Sequence, residues 1–197
     1  MIDCDDLLAA YRIGVFPMAE SRTDKNIFWV EPRLRGVIPL DKFNIPRSLK
    51  KFMDKCDYSV TINHAFPDVI RHCADIPRGH EKETWINAFI EELFLNLHEK
   101  GYAHSIEVWD TERNLIGGLY GLAQGGCFNG ESMFSTKQNA SKIALVYLVR
   151  HLRERGFSLL DTQFINDHLK QFGCLEISQN DYMGRLEEAL KLHVNFV

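Results

Sequence analysis

Apolar residues change their spacing many times along this chain, and each change marks an element. In residues 5–13, Leu7, Leu8 and Tyr11 fall on one helical face, and Gly14 ends the run. Phe16-Pro17-Met18 reads as loop. The stretch 28–46 holds Pro32, Pro39 and Pro46, which predicts turns and short strands. Residues 46–51 read as a short basic helix. From Tyr58 the periods become regular. Residues 58–62 alternate like a strand, and 64–74 place Phe66, Val69, Ile70 and Cys73 on one helical face. Pro77-Arg78-Gly79 breaks the chain. Thr84 then reads as the N-cap of a longer helix, with Trp85, Phe89, Ile90, Leu93 and Leu97 inward and Gly101 as its stop. Residues 105–109 and 115–123 are expected strands joined by a turn at 110–114, and 126–134 is a third. Residues 139–155 form an amphipathic helix that includes Ile143, Val146, Leu148 and Leu152. A strand at 157–163, a short helix at 167–172, a strand at 175–178 and a helix at 182–192 complete the chain.

From residue 58 the order is β-α-α-β-β-β-α-β-α-β. That order is used by the GNAT-type acyltransferase fold, an α/β (α+β) architecture. The expected organisation is a small N-terminal accessory domain, residues 1–57, and a GNAT-like domain, residues 58–197. One geometric consequence follows. The strand ending near Glu131, the helix from Asn139 and the strand ending at Gln163 form a β-α-β crossover, so the two strands should run parallel. Their C-terminal ends then share one edge, where open α/β sheets bind ligands.

Composition changes this picture little, and charge changes it locally. A chain of 197 residues, 45% hydrophobic and 25% charged, can bury an ordinary core. Its net charge of −4 does not suggest a general nucleic-acid binder. Between Arg33 and Lys55, however, stand Arg33, Arg35, Lys42, Arg47, Lys50, Lys51 and Lys55 against only Asp41 and Asp54. That stripe suits a local phosphate contact, and it would serve equally as a solvated face. The five cysteines are odd in number and widely spaced, which argues for reduced thiols rather than disulfides or a zinc site. Met1 is followed by acids rather than a signal-peptide pattern, and no apolar run approaches the ~20 residues of a membrane span. A cytoplasmic monomer without membrane contact is expected.

Two segments carry candidate chemistry. Gly130-Glu131-Ser132-Met133-Phe134-Ser135 ends one strand of the crossover, and Leu159-Leu160-Asp161-Thr162-Gln163-Phe164 ends the other. Taken singly, Glu131 reads as a surface carboxylate and Asp161 as a partly buried, hydrogen-bonded acid. Their convergence on one edge makes them a site.

These segments, together with Gly117-Gly118-Leu119-Tyr120-Gly121, residues 104–109 and Gly14-Val15-Phe16-Pro17-Met18, resemble the leucyl/phenylalanyl-tRNA–protein transferase family over about residues 7–190. The resemblance implies transfer of leucine or phenylalanine, with methionine a third donor, from aminoacyl-tRNA to the N-terminal α-amine of acceptor proteins. It implies acceptors that begin with Lys or Arg, and a role in marking them for degradation. The donor is the charged tRNA and no cofactor or metal is implied. By the same resemblance Glu131 holds the substrate's α-amino group, while Asp161 and Gln163 serve the transfer. Gln163 has no useful pKa and can only orient. Asp161 has the chemistry of a base, and alternation places residues 161 and 163 on one strand face.

Leu119, Met133, Leu145, Leu148, Leu152 and Leu160 match the family's aminoacyl pocket, although each is also an ordinary core type. Trp29 and Trp85 match positions that stack the terminal adenosine, and Trp85 could equally pack its helix. Arg47, Lys50 and Lys51 are the expected tRNA contacts. Two alternatives stand beside this reading. One is an acyl-coenzyme A–dependent N-acetyltransferase, which needs a Gly-rich turn before its main helix. Residues 135–141 hold no glycine. The other is a non-catalytic tRNA-binding module, which would leave Glu131, Asp161 and Gln163 without a purpose.

Overall fold

The computed structural model describes residues 2–75 and 84–197, so the expected break at Pro77-Arg78-Gly79 lies outside the described residues. Helix α1 (Cys4–Arg12) is started by Asp3, whose carboxylate accepts the backbone N–H groups of Asp5 and Asp6, while the Asp6 carboxylate accepts that of Asp3. Gly14 follows in the left-handed region at φ +76, where an added Cβ would lie 2.7 Å from Met183 Sδ. Residues Phe16–Met18, read as loop from the sequence, are strand β1. They pair antiparallel with β2 (Phe28–Val30). Strand β3 (Leu34–Ile38) and the basic helix α2 (Arg47–Met53) come next.

From there the order is the expected one: β4 (Ser59–Ile62), α3 (Phe66–Asp75), α4 (Ala88–Glu99), β5 (Ala103–Trp109), β6 (Leu115–Gln124), β7 (Cys127–Ser135), α5 (Ala140–Glu154), β8 (Leu159–Gln163), α6 (Asp167–Lys170), β9 (Leu175–Ser178) and α7 (Gln179–Leu190). Two helix starts differ from expectation, each because a nearby side chain caps better. Asn87, not Thr84, caps α4 by accepting the Ile90 N–H at 2.8 Å, so Trp85 precedes the helix. Ser178 accepts the Asp181 N–H and starts α7 three residues before Tyr182.

Seven strands form one sheet in the order β4-β5-β6-β7-β8-β3-β9. The expected parallel pair is present, with Cys127, Phe128 and Asn129 of β7 beside Leu159, Leu160 and Asp161 of β8. The other neighbours are antiparallel. Strand β3 comes from the segment expected to form the accessory unit, yet it is hydrogen-bonded inside this large sheet, between β8 and β9.

Alternation along the strands sorts side chains into two layers. Leu119 joins Ile143, Leu145 and Leu148 of α5, while the next residue, Tyr120, joins Phe66 of α3 and Phe94 of α4. Each such buried side chain contributes about 1.5–3 kcal/mol of transfer free energy. Helix α5 can sit this close because Gly117 has no Cβ: one would meet the Ala140 Cβ at 2.5 Å. Helix α7 lays Tyr182, Leu186 and Ala189 over Val37, Cys127 and Leu159. At the C-terminal end, Phe196 is buried and stacks on His104 with ring centroids 4.2 Å apart. Burial in this apolar setting pulls the His104 pKa down to about 4. All five cysteines are free thiols, and among the described residues no helix is long and apolar enough to cross a membrane.

Candidate active site

Pairing between β7 and β8 stops at Asn129 and Asp161, and each strand continues without the other. Where they part, a cavity of about 540 Å³ opens, a size typical of small-ligand sites. Its walls are residues 130–133 of β7, Leu160, Thr162 and Gln163 of β8, Leu119 and Tyr120 of β6, and Leu145 and Leu148 of α5. Phe16, Met18, Trp85, Phe164, Asn166, His168 and Leu169 close the rest. Burial, with the Lys142 charge, depresses the pKa of His168 in the cavity wall.

The cavity brings together most of the residues singled out in the sequence. Glu131, Gln163, Trp85, Leu119, Met133, Leu145, Leu148 and Leu160 all line it. Leu152 does not: it shares a helix face with Leu145 and Leu148 but lies further along α5, fully buried in the core. Trp29 does not line it either. It pairs with Pro17 on the small sheet and is 42% exposed, while Met18, one residue on, faces the cavity with Trp85. Ala19 donates its N–H to the Trp85 carbonyl at 3.1 Å and ties the two walls together. Arg47, Lys50 and Lys51 are exposed on α2, as are Arg33, Lys42 and Lys55. Arg35, counted with them in the basic stripe, is 0% exposed.

Arg35 is the residue that charge counting missed. Its Nε and Nη2 donate to the two carboxylate oxygens of Asp161 at 2.9 and 2.7 Å, and Nη1 donates to the Gly14 carbonyl at 2.8 Å. The guanidinium lies over the Phe16 and Tyr182 rings, 4.8 and 4.3 Å from their centroids. Asp161 is likewise 0% exposed and does not reach the cavity. Besides Arg35, it accepts the Gln163 backbone N–H at 2.9 Å and the Tyr182 hydroxyl at 3.2 Å. The signal in the sequence was an arginine set in the strand-like run Leu34-Arg35-Gly36-Val37-Ile38.

Gln163 sits at φ +55, a left-handed conformation that costs a non-glycine residue about 1–3 kcal/mol and is held only by its surroundings. The bend turns its amide to Glu131, and Nε2 donates to Oε1 at 3.2 Å. Among the described residues Glu131 has no salt-bridge partner. Burial pushes its carboxyl up to about 8, and the Asp161 charge adds to the rise, while Tyr11, Arg35 and Gln163 oppose it. The Tyr11 hydroxyl is buried beside this carboxylate. Glu131 itself keeps part of its surface open through the cavity, so a bound ligand would complete its surroundings. It is the single carboxylate among the described residues lining the cavity, and it can bind an amine as an ion pair.

A mixed sheet that splits beside its parallel pair, with a cavity in the split, is the GNAT-like fold. Solved structures agree on the fold: FemX (TM-score 0.57, 12% identity, 88% of this chain and 66% of that one) and L-PGS from Bacillus licheniformis (0.51, 13%, 98% and 72%). The family model of leucyl/phenylalanyl-tRNA protein transferase matches residues 37–187, and that of its N-terminal domain residues 1–33. Leucyl/phenylalanyl-tRNA–protein transferases of Rhizorhabdus wittichii (51% identity, 96% of this chain, 75% of the relative) and Chlorobaculum parvum (50%, 100% of each) are similar over nearly the whole length. The chain therefore belongs to the leucyl/phenylalanyl-tRNA–protein transferase family and is an aminoacyltransferase.

Proposed function

We propose that the cavity receives the aminoacyl end of a tRNA charged with leucine or phenylalanine, and that an acceptor protein's α-amine attacks the ester there. The observation that carries this reading is the Glu131–Gln163 contact at 3.2 Å, in a cavity with Leu119, Met133, Leu145, Leu148 and Leu160 in its walls. The apolar positions take the donor side chain, and Glu131 holds the donor's α-amino group. Gln163 spends its N–H on Glu131, which leaves its amide oxygen to accept from the attacking amine.

The ester is already an activated acyl donor, so alignment supplies most of the rate. Holding amine and carbonyl together can contribute about 7–11 kcal/mol. An α-amine, with a pKa of about 7.7–8.0, is partly neutral at physiological pH and attacks as the free base. The adduct must move a proton from nitrogen to the departing ribose oxygen. Asp161 is sealed behind the cavity with each oxygen already accepting, and Gln163 does not titrate, so the neighbouring ribose hydroxyl carries that proton. The exposed Arg47, Lys50 and Lys51 take tRNA phosphates, and Trp85 stacks the terminal adenosine. Acceptors beginning with Lys or Arg, methionine as a third donor, degradation of the product and a monomer acting in the cytoplasm belong to the same reading.

An acyl-coenzyme A enzyme would present free N–H groups where α5 begins. Those of Ala140 and Ser141 already donate to the Lys137 carbonyl and Ser135 Oγ, both at 3.3 Å. The deciding experiment mixes the protein with leucyl-tRNA and a peptide beginning with Arg. Transfer of leucine to the peptide is expected. Turnover of acetyl-coenzyme A instead, or tRNA binding without transfer, would overturn the reading.

A further inference from the structure

Arg35 links two pieces of the cavity wall, and helix α7, from behind. Through Asp161 it reaches Gln163 at the end of β8. Through the Gly14 carbonyl and the Phe16 ring it reaches the segment that supplies Phe16 and Met18 to the cavity. Phe16 in turn meets Phe164, also a wall residue, edge-on at 5.8 Å. The third link is Tyr182 of α7, whose ring lies on the guanidinium and whose hydroxyl donates to Asp161. A lone buried ion pair needs none of this convergence. Both Asp161 oxygens are fixed by two guanidinium donors in a fork, a geometry that a lysine cannot supply. The oxygen held by Arg35 Nε is the same one that accepts the Gln163 N–H, at the residue whose backbone is left-handed.

We propose that Arg35 is a positioning residue for aminoacyl transfer: by clamping Asp161 it holds the Gln163 backbone in its bend, and so keeps the Gln163 amide on Glu131 and in the cavity. The inference rests on the function proposed above. Arg35 touches no substrate; it acts through Asp161 and Gln163.

Arg35→Lys keeps the charge and loses the fork. In single-turnover transfer at saturating leucyl-tRNA, the rate should fall about 100-fold while the Kd for leucyl-tRNA stays within about threefold. Hydrogen exchange at the Gln163 amide should speed up while the Leu160 amide stays unchanged. Gln163→Ala should lose as much rate, and Arg35→Lys added to it should lose little more, since residues acting through one another are not additive. Additive losses, or a weakened Kd with an unchanged rate, would overturn the proposal and leave Arg35 as a structural pair. If Arg35→Lys fails to fold, Arg35→Met/Asp161→Leu removes both charges together, an exchange that folds can tolerate. A folded double variant should transfer as slowly as Gln163→Ala, and wild-type transfer by it would refute the role. Failure of the wild-type protein to transfer leucine at all would instead overturn the proposed function.

Discussion

Two acidic side chains stand on neighbouring strands at one edge of the sheet, and their surroundings could hardly differ more. Asp161 is sealed: it faces a guanidinium, each of its oxygens accepts two hydrogen bonds, and it has no exposure. Glu131 is open: it lines a cavity, accepts from one neutral amide and has a carboxyl pushed up to about 8. The same functional group is thus fixed in one place and accessible in the other. What separates them is whether a cation lies within reach. Charged pairing spends a carboxylate on the fold, and its absence leaves one available to a substrate amine.

Breaking the sealed side should cost the most. Asp161→Asn leaves the Arg35 charge buried and half-unpaired, so stability in urea denaturation should fall by about 3–5 kcal/mol. A loss no larger than that of a surface substitution would mean that the pair is not sealed in solution. On the open side, Glu131→Gln should do the reverse, lowering transfer about 100-fold with little loss of stability at pH 6. Its pH signature is specific. The folded pKa of about 8 lies above the ordinary 4.5, so the folded protein keeps a proton that the unfolded chain has released. Stability without substrate should therefore fall as pH rises towards 8. His104, with a folded pKa of about 4 against 6.5, acts in the opposite direction as pH drops from 6.5 towards 4. His168, also lowered from 6.5, acts with His104, and both effects fade about one unit above 6.5; Glu131→Gln should flatten the remaining fall in denaturation measured across pH 7–8.

Met133 sharpens the contrast on the open side. It is only half-buried, so Met133→Ala should lower leucine transfer about tenfold with a modest drop in Tm. A collapse in Tm with equal loss of leucine and phenylalanine transfer would make Met133 a core residue. The smallest effect on the fold is expected from the exposed cations, which contrast with Arg35 in the same stripe. Arg47, Lys50 and Lys51 replaced by Ala should leave stability unchanged. The slope of log tRNA affinity against log salt should become shallower by about 2, and an unchanged slope would place the phosphates elsewhere.

Local pattern carried much of this architecture. The β7-α5-β8 crossover is legible because its alternating and helical periods lie within one stretch of chain, and handedness and parallelism then place Glu131 and Gln163 on one edge. Depth was not legible. Leu145, Leu148 and Leu152 share a face, but periodicity does not say where along a helix a cavity ends. Nor was hairpin register, which sends Met18 rather than Trp29 to the cavity. Arg35 was hidden for a different reason: sequence proximity to surface cations gave it their character, while its partner Asp161 lies 126 residues away. Nothing local in Leu34–Ile38 names β8 and β9 as its neighbours.

The insertion of β3 between β8 and β9 also sets an order of assembly. Strand β3 is made before both of its neighbours and cannot pair until residues 159–178 have left the ribosome. Contacts this distant in sequence close late and slowly. Until they do, the nascent protein carries an unpaired edge at β3 and no closed Arg35–Asp161 clamp. Pulse-labelled chains ending before residue 159 lack β8 and should bind no leucyl-tRNA productively, however well their earlier strands have formed.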